Sequence, residues 1–246
     1  MKYLLLFLML LVSISCVHTS GAEEKASEDK PEIVVKKRED GTISSVNQVI
    51  DGSIVHGIRA SYYRDGKTLY SKQTYNYGVK NGPATWYYKN GQVFKQTSFE
   101  DGKRHGLTRV YYKNGDVLAE FESEKGNVLP GLKEYDQEGN LITSYPAIAF
   151  REIDHLASKN RVDLEVSCKK KRSGVRFYLL KQEEGRTSRI YLITENDRAI
   201  LQYYVKPGEL LRKQVDILAE IPTELGNTLV KKCTYELNIA CLLNTS

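Results

Sequence analysis

The side chains able to do chemistry are few and scattered. There are four histidines, His18, His56, His105 and His155, and four cysteines, Cys16, Cys168, Cys233 and Cys241. No HExxH, Cys-x-x-Cys or phosphate-cradling glycine loop between a strand and a helix occurs. No serine sits in a nucleophile motif, and no carboxylate pair stands out on one strand. His56 and His105 occupy one position of an internal repeat, each directly before a glycine, and Asn81 fills that position between them. A site that takes His or Asn before Gly is a turn site. Lys169-Lys170-Lys171-Arg172 is a basic run that phosphates or lipid head groups could occupy, but it falls between two expected strands, where a solvated turn needs no ligand. These observations assign no catalytic, cofactor-binding or metal-ligating residue and exclude no binding function.

Cys16 has a distinct context. Lys2 gives a short positive start, and Tyr3 to Val12 is an apolar run of signal-peptide length, too short to span a bilayer. Two endings stay open. Ser13-Ile14-Ser15-Cys16 resembles a lipobox that would make Cys16 a lipidated N-terminus, although Ser13 stands where Leu is usual. Ser20-Gly21-Ala22 has the small-x-small form of ordinary cleavage. Residues 1–16 are therefore expected to be a signal peptide and residues 17–37 a polar tether, with a membrane contact through an N-terminal lipid. The expected location is the cell envelope, lipid-anchored at the outer membrane or cell surface, the alternative being a secreted or periplasmic protein. Either cleavage leaves three cysteines. Cys233 and Cys241 lie eight residues apart in one expected strand, about 26 Å at 3.3 Å per residue, too far to bond each other. A disulfide, if one forms, joins Cys168 to Cys233 or Cys241; otherwise all three are small buried hydrophobes.

The elements follow from an internal period. Asp40-Gly41, Asp65-Gly66, Asn90-Gly91, Asn114-Gly115 and Glu138-Gly139 recur at about 25 residues. Gly57, Gly82, Gly106 and Gly131 form a second series, and Gly52, Gly78, Gly102 and Gly126 a third. The best copies, GPATWYYKNG from Gly82 and GLTRVYYKNG from Gly106, place Asn-Gly between two β-rich runs. That is a hairpin signal, and it predicts a type I′ turn. Each unit is then one hairpin, unable to bury a face alone, so neighbours must stack. Seventeen tyrosines against one tryptophan suit pleated, half-buried surfaces.

Phe99 to Gly106, followed by Tyr111-Tyr112-Lys113-Asn114-Gly115, resembles the MORN repeat in its bacterial variant, a family that includes YwqK-type antitoxins. The resemblance covers residues 39–145, is strongest from Gly52 to Gly115, and implies an elongated meander of hairpins that acts as a scaffold or binding surface. It also implies, as an alternative, an antitoxin or immunity-type protein that neutralises a partner toxin.

Adjacent strand residues face opposite sides. Tyr62, Tyr87, Tyr111 and Tyr135 should line one face, and Tyr63, Tyr88 and Tyr112 the other, with Trp86 joining the second set. Tyr63, Trp86, Tyr88 and Tyr112 are the candidate binding surface for a protein or glycan ligand; the bland reading has both ladders stiffen a thin sheet. Net charge is +5, with the two signs interspersed, which does not make a nucleic-acid footprint.

After Tyr145-Pro146 the period stops. Residues 147–160 read as a connector. Alternating runs at Val162–Cys168, Val175–Leu179, Ile190–Leu192, Ile200–Val205, Val215–Ile221 and Cys233–Cys241 predict six or seven strands of an antiparallel β-sandwich over residues 161–246, similar in pattern to immunoglobulin-like accessory domains of bacterial surface proteins. The expected architecture is all-β: a meander over 38–146, then a sandwich. The expected function is a non-catalytic envelope scaffold or binding protein.

Overall fold

The structure is a computed structural model that describes residues 30–170 and 172–242. The leader and Cys16 lie outside the described residues. The described chain is almost wholly β.

The first half is one antiparallel meander of β1 (Glu32–Lys37), β2 (Ile43–Ile50), β3 (Ile54–Tyr62), β4 (Leu69–Asn76), β5 (Val79–Tyr87), β6 (Val93–Glu100), β7 (Lys103–Tyr111) and β8 (Val117–Glu124), each pairing with the next. Two short strands, β9 (Asn127–Val128) and β10 (Lys133–Glu134), both pair with β8 and close the array. β1 occupies residues expected in the tether. Its apolar side chains Ile33 and Val35 remain exposed on the edge of the sheet, so burial gave no signal that it was a strand.

The glycine series have three separate jobs, and the turn type is not as expected. At Asn90-Gly91 the Gly91 amide donates to Tyr88 O at 2.9 Å and the Tyr88 amide to Gln92 O at 2.8 Å. Gly91 is at φ 85°, while Asn90 is not in the left-handed region. This is a three-residue loop, a type I turn followed by a left-handed glycine, and not a type I′ turn. The type I′ pairs lie at the other end of each hairpin: Tyr77-Gly78, Asp101-Gly102 and Lys125-Gly126, with positive φ at both residues. The second series sits inside strands. Gly57, Gly82 and Gly106 each lie where the register slips, three residues facing one on the neighbour.

The second half begins earlier than the connector reading placed it. Residues 148–155 form β11 (Ile148–His155), and only α1 (Leu156–Lys159) is helical. β11 is an edge strand, so its inward alternation is weak. Then come β12 (Arg161–Cys168), β13 (Arg176–Glu183), β14 (Arg186–Leu192), β15 (Thr194–Glu195), β16 (Arg198–Tyr204), β17 (Leu210–Pro222) and β18 (Thr228–Ala240). They make two four-stranded antiparallel sheets, β11-β12-β16-β15 and β14-β13-β17-β18. Leu164, Val166 and Ala199 of the first sheet share a core with Phe177, Ile217 and Leu237 of the second. Val110, Ala119 and Phe121 of the meander join the same core, so the last repeats and the sandwich are packed as one body.

The disulfide alternatives are corrected: Cys168, Cys233 and Cys241 are free thiols. Cys241 is buried and the other two are half-buried, and burial pushes the Cys233 thiol up.

Candidate ligand-binding face

The paired tyrosines divide by role. The Tyr63 hydroxyl donates to Tyr87 O at 2.6 Å, Tyr88 to Tyr111 O at 2.7 Å, and Tyr112 to Tyr135 O at 2.7 Å. Each repeat thus grips the backbone of the next through the second tyrosine of its pair. The first unit has Arg38 at that position, and its guanidinium donates to Tyr62 O at 2.8 Å. The last has Asp136, whose carboxylate accepts the Asn140 and Glu138 amides of its own loop and reaches no further unit. The loop bonds recur in all five copies, from Arg38–Thr42 to Asp136–Asn140. Burial pushes the phenols of Tyr63, Tyr88 and Tyr112 up, which keeps them protonated as donors.

This changes what the tyrosines can offer a ligand. Their hydroxyls are occupied. Tyr63 stacks edge-on with Tyr70 and Tyr88 with Phe94, at 5.2 and 5.1 Å between ring centroids. Tyr88 and Tyr112 border an open trough with Lys113, Asn114 and Gln137. Tyr88 opens the loop after a bulge at Trp86/Tyr87, so strand parity does not place it beside Trp86.

Trp86 instead belongs to a row that crosses the sheet: Lys36, Ser45, Ser61, Ser71, Trp86, Lys95, Val110, Ala119 and Glu134 are successive register partners. A parallel row on the same face runs Asn47, Arg59, Gln73, Ala84 and Thr97. The Thr97 and Thr108 hydroxyls meet at 2.6 Å to extend it. From β2 to β8 neither row holds an acidic residue. Short side chains are buried, Ser71 at 1% and Thr97 at 5% exposure, among long ones that are half-buried. Lys95 Nζ lies 5.8 Å from the Trp86 ring centroid, and Lys80 Nζ lies 5.1 Å from that of Phe99. Phe99 in turn pairs with Arg104. Burial, reinforced by the like charge of Arg104, pulls the Lys95 ammonium down. Among the described residues none of Arg59, Lys80, Lys95 and Arg104 makes an ion pair. The opposite face is built differently: its row carries Lys72, Thr85, Gln96, Arg109 and Glu120, and Arg109 meets Glu120 at 2.7 Å.

A second feature, not foreseen from the sequence, lies where the meander meets the sandwich. Glu134 is 1% exposed and accepts from Thr223 Oγ1 at 2.6 Å, Asn227 Nδ2 at 2.7 Å and the Tyr145 hydroxyl at 3.2 Å. It walls a cavity of about 150 Å³ with Tyr145, Arg172, Ile221 and Leu229. Burial and the Glu134 carboxylate push the Tyr145 phenol up to about 12. Arg172, from the basic run, donates to Pro222 O and Glu224 and so pins this same corner. His56 accepts the Tyr77 amide, and His105 pairs with Glu100, both beside type I′ turns. Among the described residues no cluster of three or more His, Cys, Asp or Glu forms.

The repeating hydrogen bonds and bulges define a 24- to 25-residue hairpin unit, and two of its copies match a known one. Residues 80–101 and 104–124 match the MORN repeat variant. The first match is the β5–β6 hairpin and the second the β7–β8 hairpin, the two units that carry Trp86, Lys95, Phe99 and Arg104. MORN repeats often mediate binding or scaffolding. Comparison with curated proteins and with solved structures finds no match.

Proposed function

We propose that this chain is a non-catalytic binding protein of the cell envelope, held there by a lipid on Cys16, that presents the Trp86 face of its MORN meander to a ligand. One observation carries the binding reading. The Trp86 face keeps half-buried cations beside aromatic rings with no acidic residue in its rows from β2 to β8, whereas the opposite face pairs Arg109 with Glu120. Holding an ammonium partly out of water without a partner is costly. A fold that needed these side chains only for packing would be served as well by neutral ones.

The remaining parts of the reading have their own support. The lipid anchor rests on Ser13 to Cys16 and the apolar run before them. The second half reads as immunoglobulin-like. Labelled A to G in chain order with a C′ strand, its sheets run A-B-E-D and C′-C-F-G, the order of that sandwich type.

Two experiments test the proposal. A photo-crosslinking amino acid placed at Trp86 should yield a covalent adduct in intact cells, while the same residue at Thr85 on the opposite face should not. Equal labelling at both positions, or none at Trp86, would end the binding reading. Cys16→Ser should release the protein from the membrane fraction; unchanged fractionation would remove the anchor. A single stoichiometric protein adduct encoded beside this gene would favour the toxin-neutralising alternative.

A further inference from the structure

Resting on that reading, we infer that the Trp86 face takes an acidic polysaccharide, with sugar rings lying across the strands and their acid groups meeting Lys95, Arg104, Arg59 and Lys80.

The ligand must be anionic, because the rows crossing β2 to β8 carry cations and no acid. It must also bring flat apolar surface. Trp86 stands beside Lys95 in register, and Phe99 stands between Lys80 and Arg104, so each ring has a cation at its edge or face. A sugar acid has both parts within one residue: a C–H face that stacks on an aromatic ring and a carboxylate at its rim.

The geometry selects a polymer. The rows repeat at the strand spacing of about 4.8 Å, comparable with the rise of one sugar in an extended polysaccharide. Ser71, Ala84 and Thr97 are buried between the longer side chains, so the surface a chain would meet is that of Arg59, Trp86, Lys95 and their neighbours. An acidic peptide is less well served. Each strand from β2 to β7 is already paired on both edges, so no backbone is free to receive a peptide as an added strand.

The probe is polygalacturonic acid, with dextran as the neutral chain, polyglutamate as the acidic peptide and phosphatidylglycerol vesicles as the anionic lipid. Trp86 is the only tryptophan of the chain, so its fluorescence reports occupancy directly. Polygalacturonate should shift the Trp86 emission and bind with an affinity that falls as salt rises. Lys95→Gln and Arg104→Gln should each weaken binding about tenfold or more, the size of one lost charge-assisted contact, with circular dichroism unchanged. Lys72→Gln, on the other face, should change nothing. Polyglutamate binding as tightly as polygalacturonate would leave only a charge effect and overturn the inference, as would tighter binding of the vesicles or no binding of polygalacturonate. The crosslink at position 86 separates the two levels. An adduct that is not glycan sinks this inference and spares the binding reading, whereas no adduct at all sinks both.

Discussion

Replacing Tyr112 by Phe removes one hydroxyl and leaves the ring, so it isolates the grip that one repeat has on the next. The bond lost is a neutral O–H to the Tyr135 carbonyl at 2.7 Å. Such a bond contributes about 0.5–1.5 kcal/mol net. Tyr112 is half-buried, so water can reach part of what the hydroxyl leaves behind, and the expected cost is about 1 kcal/mol. For a chain of this size that is a fall in Tm of about 2–4 °C. A repeat array need not unfold in one step, so the sharper assay is hydrogen exchange at the loop itself. The Tyr112 amide donates to Asp116 O and the Gly115 amide to Tyr112 O. Both should exchange about fivefold faster, the factor that 1 kcal/mol sets, while the buried β17–β18 amides should not change. Tyr88→Phe should behave alike at its own loop. Arg38→Met should cost more than either, because Arg38 donates to Thr42, Ile43 and Tyr62 together. Unchanged Tm and unchanged exchange in both tyrosine variants would show that the hydroxyl contacts do not hold the units together.

Three other outcomes follow from the geometry. Glu134→Gln keeps an acceptor for Thr223 and Asn227 and should cost little, whereas Glu134→Leu strands three donors and should cost about 3 kcal/mol or more, read by urea unfolding; equal effects would refute the junction role. Gly91→Ala has open space but a left-handed backbone, and should cost about 1 kcal/mol, while Gly57→Ala should cost distinctly more because its Cβ would overlap the Gln48 amide oxygen that holds the Ile58 amide. The Asp65 carboxyl is lowered from 3.8 to about 2 by the Thr68 and Lys67 amides and the Thr68 hydroxyl. A depressed acid stabilises the folded state above its unfolded pKa and stops doing so as pH falls through the folded one. Asp65→Asn should therefore flatten the stability profile between about pH 4 and pH 2 and leave its shape near neutrality unchanged.

The hairpin period was legible because glycine is the residue that takes positive φ at least cost, and three glycine series share one spacing. The assignment of turn types was not legible. Asn-Gly suits both a type I′ turn and a type I turn with a left-handed glycine, and the choice depends on whether the residue before Gly is itself left-handed. Asp101 is and Asn90 is not, and nothing local in the sequence tells them apart. Strand parity ties Trp86 to Tyr88, but a bulge after Trp86 breaks that parity. The true neighbours of Trp86, Ser71 and Lys95, are joined to it by cross-strand register, which a one-dimensional pattern cannot supply. β11 and β1 escaped because edge strands bury little and so alternate weakly. Glu134 escaped because its partners lie about ninety residues away.

The grip between repeats points one way. Every unit reaches for the carbonyl of its successor, from Arg38 to Tyr112, and Asp136 ends the series by turning back on its own loop. A polar chain of identical couplings with distinct first and last members is an extensible ruler. Copying one interior unit would add two strands, or about 10 Å of sheet, and each new coupling would find the donor and acceptor it needs. The Arg38 end and the Glu134 end would be untouched. Reach can thus change by whole units under selection, through duplication or loss of about twenty-five codons, without redesign of either terminus.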